Sequence, residues 1–343
     1  MQKDYYYHDI RIICQTNHPA LLAALEAVFG MFPEPAVVRS EASYALFCYE
    51  SACQFPLPLP DDLIYSNTLS LFNQARLKTY WSQDHTTNYL HFVACSSASE
   101  SALSIVQKEQ RSALTQLEMP ERYDLAFLRR YILLLTLGEL LETCGFEACH
   151  AAAITAPWDN QLGALILGAS GSGKTTLSLG CACNGYGLIG DDLVMLRQEP
   201  ASEVISAYTL LPEVSIRNGT LDLYPQLSFL RPYSMDARAK RSCTIEEIRS
   251  GATCLCAPVR SLFFPSLTNA ATSTAKLLSK ATTLQLLIEY CISKGNMSAI
   301  TQERLFRLLA ALTEQAVGYQ LAIARGDETM PHRLYTLLRE AQP

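Results

Sequence analysis

The chain has 343 residues, of which 49% are hydrophobic and 17% charged, a composition that excludes a mainly disordered protein. Lys and Arg total 27 against 33 Asp and Glu, net charge -6, with a sequence pI of about 5.6. That balance argues against a broad nucleic-acid-binding face and leaves room only for a local basic pocket.

At about 150 residues per domain, the length corresponds to roughly two domains. Residues 1–120 read as a small α/β unit. A strand is expected over residues 9–14. Asn17-His18-Pro19 then resembles a helix start, with Pro19 in the first helical position. The spacing of Leu21, Leu22, Leu25, Val28 and Phe29 gives that helix one buried face. Residues 44–49 and 89–95 are further strands. Between them the Pro-rich stretch at 55–60 is extended, because proline at alternate positions forbids a helix. A small polar stretch at 96–101 precedes a helix through Leu103, Val106 and Leu114.

Residues 123–146 read as a strongly apolar helix. Its longest apolar run, residues 132–141, contains Glu139 and is about half a membrane span, so no membrane partner is expected. The opening Met1-Gln2-Lys3-Asp4 starts no apolar signal core, and the expectation is a soluble cytoplasmic protein. Beyond His150 the pattern changes to short apolar strands separated by Gly- and Asp-rich turns. A strand at 163–167, a Gly-rich loop, a helix at 176–183 and a strand at 186–189 make a β-loop-α-β unit with a parallel pair. Strands at 204–210 and 214–216 follow, then helices at 282–290, 302–315 and 331–341.

The loop itself is Gly168-Ala169-Ser170-Gly171-Ser172-Gly173-Lys174-Thr175-Thr176, a full match to G-x-x-x-x-G-K-[ST]. Glycines let the backbone wrap an anion so that successive N–H groups point at it, and the following helix adds its positive end. Lys174 is expected on the β- and γ-phosphates and the Thr175 hydroxyl on Mg²⁺. No N-K-x-D and no L-S-G-G-Q occurs, which excludes Ras-type GTPases and ABC ATPases. The next strand, Gly187-Leu188-Ile189-Gly190-Asp191-Asp192, delivers two carboxylates at its C-terminal end, the sheet edge where α/β ligands bind. Neighbouring residues on a strand face opposite ways, so one Asp suits a metal and the other a phosphoryl acceptor.

These two segments resemble the HPr kinase/phosphorylase and phosphoenolpyruvate carboxykinase superfamily. Both branches carry such a loop followed by a D-D strand, and a histidine upstream of it; His150 occupies that place. The resemblance covers roughly residues 145–260, and the wider layout is similar to HPr kinase-related serine kinases. It implies an α/β fold with an N-terminal recognition domain, 1–120, and a P-loop kinase domain with C-terminal helices, 121–343. It implies ATP and Mg²⁺ as cofactors, bound over 168–176. Asp192 would be the general base, Asp191 a metal ligand beside Thr175, and His150 a further site residue. In carboxykinases the second Asp binds metal, so the division between the two stays open here. Glu213 is the nearest counterpart of a downstream metal-binding Glu, within a segment that departs from the family pattern. Lys240 and Arg241, in the basic cluster 238–241, would add cations for the transferring phosphoryl group.

The function implied is a Mg-ATP-dependent kinase acting on a serine-type hydroxyl of a small protein, peptide or small molecule. The alternatives are an ATP-binding regulator with weak or no transfer, or a carboxykinase, for which no dicarboxylate-binding segment is seen. No nucleic-acid partner is expected, and a homo-oligomer stays open. The 12 cysteines include no C-x-x-C pair and read as reduced packing residues. Cys149, next to His150, is the one thiol whose oxidation would bear on the site.

Overall fold

The structure is a computed structural model that describes residues 1–49, 59–70, 76–93, 101–118, 128–235, 239–292, 299–327 and 329–340. Most of the Pro-rich stretch, most of the small polar stretch at 96–101, residues 123–127 of the expected apolar helix, and Arg238 lie outside the described residues. The chain divides into two compact units, Met1–Phe146 and Glu147–Pro343. Sequence reasoning puts that boundary at 120/121, ahead of the apolar helix instead of after it. Among the described residues no helix is long and apolar enough to cross a membrane.

The first unit is built on an eight-stranded sheet. In chain order its strands are β1 (Gln2–Tyr7), β2 (Ile10–Thr16), β3 (Ser40–Tyr49), β4 (Ile64–Ser70), β5 (Arg76–Trp81), β6 (Thr87–Val93), β7 (Ser101–Gln107) and β8 (Ser112–Glu118). In space they run β1-β2-β3-β8-β7-β6-β5-β4, with β2, β3 and β8 mutually parallel. Helix α1 (Pro19–Phe29) starts as its sequence predicts: His18 caps it by accepting the Ala20 N–H, and Leu21, Leu25, Val28 and Phe29 are buried. The helix expected through Leu103, Val106 and Leu114 is instead the β7–β8 hairpin. Polar residues 108–111 make its turn, with Arg111 at φ 47, and a buried hydroxyl pair, Ser104 to Thr115 at 2.7 Å, joins its strands. After a π-helical turn at Leu128–Leu133, α2 (Leu134–Glu142) carries the apolar run. Thr136 on α2 extends the hydroxyl chain to Ser104 at 2.8 Å.

The second unit holds a nine-stranded sheet. Its early strands are β9 (Glu147–Cys149), β10 (Ala152–Ala156), β11 (Asp159–Ile166), β12 (Gly187–Gly190), β13 (Val194–Gln198) and β14 (Ile205–Thr209). A separate two-stranded sheet pairs β15 (Glu213–Arg217) with β16 (Lys240–Thr244). Then come β17 (Cys256–Thr268), β18 (Thr274–Leu277) and β19 (Val317–Ala324), of which β17 and β19 pair in parallel. The helices are α3 (Lys174–Cys183), α4 (Asn218–Leu223), α5 (Ile245–Ile248), α6 (Lys280–Cys291), α7 (Ala299–Gln315) and α8 (Met330–Glu340).

Strand alternation sorts the core into two layers. Ala152, Ile154, Ile166 and Phe263 pack with Leu177 of α3 and Leu334 of α8. Ala153, Leu165, Leu262 and Phe264 face the other way, onto Leu287 of α6 and Leu309 of α7. Helices on both faces of a largely apolar sheet make this an α/β unit. One expectation is corrected: β11 and β12 are not neighbours. β10 lies between them, antiparallel to both, with Ala152 opposite Ile166 and Ala153 opposite Gly190. The two strands are still parallel to one another, so their C-terminal ends share an edge with the start of β10.

β9 sits at the end of the sheet and, among the described residues, pairs only with β13, Cys149 opposite Val194. Its Glu147 carboxylate is 3% exposed and takes both forks of Arg304 from α7. The Glu147 side chain is buried and that of Arg304 is 39% exposed, so removing the guanidinium weakens the compensation of a desolvated charge, and Arg304→Met is expected to destabilise the protein by about 1.5 kcal/mol. Urea denaturation with unchanged slope is the measurement; a loss under about 0.5 kcal/mol would mean that the pair does not anchor β9.

Candidate functional site

The 168–176 loop links the buried end of β11 to α3. Gly171 (φ 83) and Gly173 (φ 99) occupy left-handed backbone that side-chain-bearing residues rarely adopt, and Gly173 caps the helix. Leu177 N–H bonds back to Gly173 O at 2.9 Å, so helical pairing begins at once. Lys174 is 8% exposed; its Nζ donates to Gly168 O at 2.8 Å and Ala169 O at 3.2 Å, curling the side chain over the loop. The Ser172 hydroxyl is buried and has no partner. Thr176 Oγ1 meets Thr220 Oγ1 of α4 at 3.0 Å.

The second half of the site comes from an interrupted ladder. Cys149 pairs with Val194, and Ala153 with Gly190, so the register is the same on both sides of the break. Residues 150–152 thus stand opposite 191–193 where no ladder pairing occurs. Asp191 turns inward, 3% exposed, and Asp192 outward, its side chain 64% exposed. His150 Nδ1 lies 3.4 Å from Asp192 Oδ1.

Asp191 Oδ1 accepts from Ser178 Oγ at 2.8 Å, and the Thr175 side chain bonds the same carboxyl. Burial pushes the Asp191 carboxyl up to about 6, reinforced by the Asp192 charge; the hydrogen bonds from Ser178 and Thr175 and the Lys240 ammonium pull the other way. A cation beside this carboxyl would favour its charged form and oppose the effect of burial. Among the described residues no group of three or more His, Cys, Asp or Glu gathers as a metal cage. The donors present, one carboxylate and the Thr175 hydroxyl, fit a hard cation that takes its other ligands from phosphate and water, as Mg²⁺ does.

Loop, Asp192 and His150 border one cleft of about 740 Å³. Cations Lys174, Arg217, Lys240 and Arg325 line it, with an apolar wall that includes Leu177, Leu223, Ile323 and Met330. Of the remaining expected site residues, Lys240 reaches the cleft. Arg241, its neighbour, points into the core and is 8% exposed: Nε donates to Arg231 O at 3.2 Å and Nη1 to Asn218 Oδ1. Glu213 is on the same face of β15 as Ser215 and Arg217, but only those two line the cleft. Sequence reasoning also missed Arg325 and Asp327, in the turn after β19. The signal was the apolar run 317–324 with Gly326 just beyond it.

Burial of Asp191 couples stability to pH. Its pKa is raised in the folded protein from 3.8 to about 6, so its stabilising share is complete below pH 3.8 and is lost as pH rises through about 6. Asp191→Asn in metal-free buffer is therefore expected to gain about 3 kcal/mol at neutral pH and almost nothing at pH 3.8. Thermal melts across that range, with chelator present, check it; equal gains at both ends would mean that ionisation is not the cause.

No protein-family profile matches the chain, and no curated protein matches it. Among solved structures, the Hpr(Ser) kinase/phosphatase of Coxiella burnetii is similar at 14% identity and a TM-score of 0.33, over 57% of this chain and 89% of that one. At that level the similarity carries no weight for the chemistry, which rests on the residues themselves.

Proposed function

We propose that this cleft transfers the γ-phosphoryl group of Mg-ATP to a serine-type hydroxyl. The observation that carries the proposal is the meeting of a Lys174 phosphate loop with an outward Asp192 held by His150, all on one cleft. Loop N–H groups and Lys174 would hold the β- and γ-phosphates. Thr175 and Asp191 would ligate Mg²⁺, whose charge neutralises the phosphate oxygens. Burial beside Thr175 favours Asp191 for the metal and leaves Asp192 as the base.

Asp192 takes the hydroxyl proton as the acceptor oxygen bonds the γ-phosphorus and the bond to the β-phosphate oxygen breaks, giving ADP. His150 orients that carboxylate. Lys240 and Arg217 supply positive charge where the transferring group passes, in a site that works mainly by positioning and neutralisation. The acceptor is a serine-bearing peptide, protein or small molecule.

Calorimetry with Mg-ATP and turnover of γ-labelled ATP with L-serine and serine-bearing peptides test the reading. Asp192→Asn is expected to lose about 100-fold or more in transfer and to keep its nucleotide affinity. Lys174→Ala is expected to lose nucleotide affinity itself. Transfer retained in the Asp192 variant removes that residue from the base role, and a wild-type protein that does not bind Mg-ATP overturns the reading outright.

A further inference from the structure

Cys149 and Cys291 take no part in the chemistry above and lie 142 positions apart in the chain, yet their sulfurs are 3.5 Å apart. Both sit in the core layer under α6 and α7, Cys149 at 1% exposure and Cys291 at 7%. Each is the last residue of its element: Cys149 closes the edge strand β9, and Cys291 closes α6. Element ends and edge strands open at lower free energy than the interior of a sheet. A disulfide needs its sulfurs at about 2.05 Å, so closure asks for an approach of roughly 1.5 Å between the ends of two elements.

We propose that Cys149 and Cys291 are a redox-active dithiol, a modification site that a low-molecular-weight disulfide such as glutathione disulfide converts to an internal bridge. Cys291, the more accessible, attacks one sulfur of glutathione disulfide as the thiolate. The glutathione S–S bond breaks and one glutathione thiol leaves. Cys149 then attacks the Cys291 sulfur of the mixed disulfide and releases the second glutathione. The two cysteines together lose two protons and two electrons, and the oxidant becomes two thiols. The hydrogen bond to Cys291, together with burial, pushes the Cys149 thiol up, so the exchange waits for β9 to open. His150 follows Cys149 directly, so the bridge tethers to α6 the residue that leads into the His150–Asp192 contact.

The wild-type full chain is incubated with glutathione disulfide in mildly alkaline buffer, alkylated, digested and mapped by mass spectrometry. The expected product joins the Cys149 peptide to the Cys291 peptide at a mass lower by two hydrogens. It is reversed by dithiothreitol, absent in Cys291→Ala and retained in Cys181→Ala. The wild-type map is decisive without any variant. Peptides never joined, or either cysteine joined to a different one, overturn the proposal.

A second measurement rests on the phosphotransferase reading. The bridged protein is expected to keep its Mg-ATP affinity and to lose roughly tenfold or more in turnover. Unchanged turnover in fully bridged protein overturns the tie to His150. A reduced protein that fails to bind Mg-ATP overturns the phosphotransferase reading instead, and the peptide map then judges the bridge alone.

Discussion

Cys149 opposite Val194 and Ala153 opposite Gly190 belong to a single antiparallel register, and between them the pairing stops. Most of the site depends on that gap. An unbroken ladder would send residues 191 and 192 alternately to the two faces of a packed sheet, both under helices. The break lets Asp191 turn into the layer beneath α3 while Asp192 and His150 leave the sheet for the cleft. Because β10 runs antiparallel between β11 and β12, its start and their ends lie on the same edge. Three separate stretches, at 150, at 168–176 and at 191–192, are thereby delivered to one place.

Charge in that place is arranged by depth. Asp191 is desolvated and carries Ser178, Thr175 and the Lys240 field as partial compensation. Asp192, its side chain 64% exposed, stays in contact with solvent. Two adjacent carboxylates thus differ in environment because of burial, the usual way in which one residue type is given two electrostatic characters. The cations are dispersed over separate elements: Lys174 on α3, Arg217 on β15, Lys240 on β16 and Arg325 beyond β19. Arg217 and Lys240 are direct cross-strand partners, a like-charge pairing that costs stability. Sites commonly carry local costs of this kind in return for function.

What was legible in the sequence follows from what chemistry leaves no choice about. A phosphate loop needs glycines where φ is positive, and Gly171 and Gly173 are such positions. Carboxylates at a strand end, and Pro19 behind a capping residue, are equally local. The misses were all tertiary. Nothing in residues 152–156 says that this strand inserts between β11 and β12. The apolar residues Leu103, Val106 and Leu114 fit helical spacing, yet cross-strand contacts and the buried hydroxyl chain from Thr136 through Ser104 to Thr115 determine a hairpin. Arg241 and Lys240 are indistinguishable as a basic pair until the β16 register turns one inward and the other to the cleft. Glu213 attracted attention as an acid, although Ser215 and Arg217 two and four residues along are the positions on that strand face that reach the cleft.

The curl of Lys174 over its own loop sets up a competition. Its ammonium already donates to the Gly168 and Ala169 carbonyls, so on the phosphotransferase reading an arriving phosphate would gain only the difference between the new contacts and the old ones. Apparent affinity is then the intrinsic affinity divided by the inverse of the uncurled fraction. On the phosphotransferase reading, the same two carbonyls would receive the ammonium again once the phosphate has left.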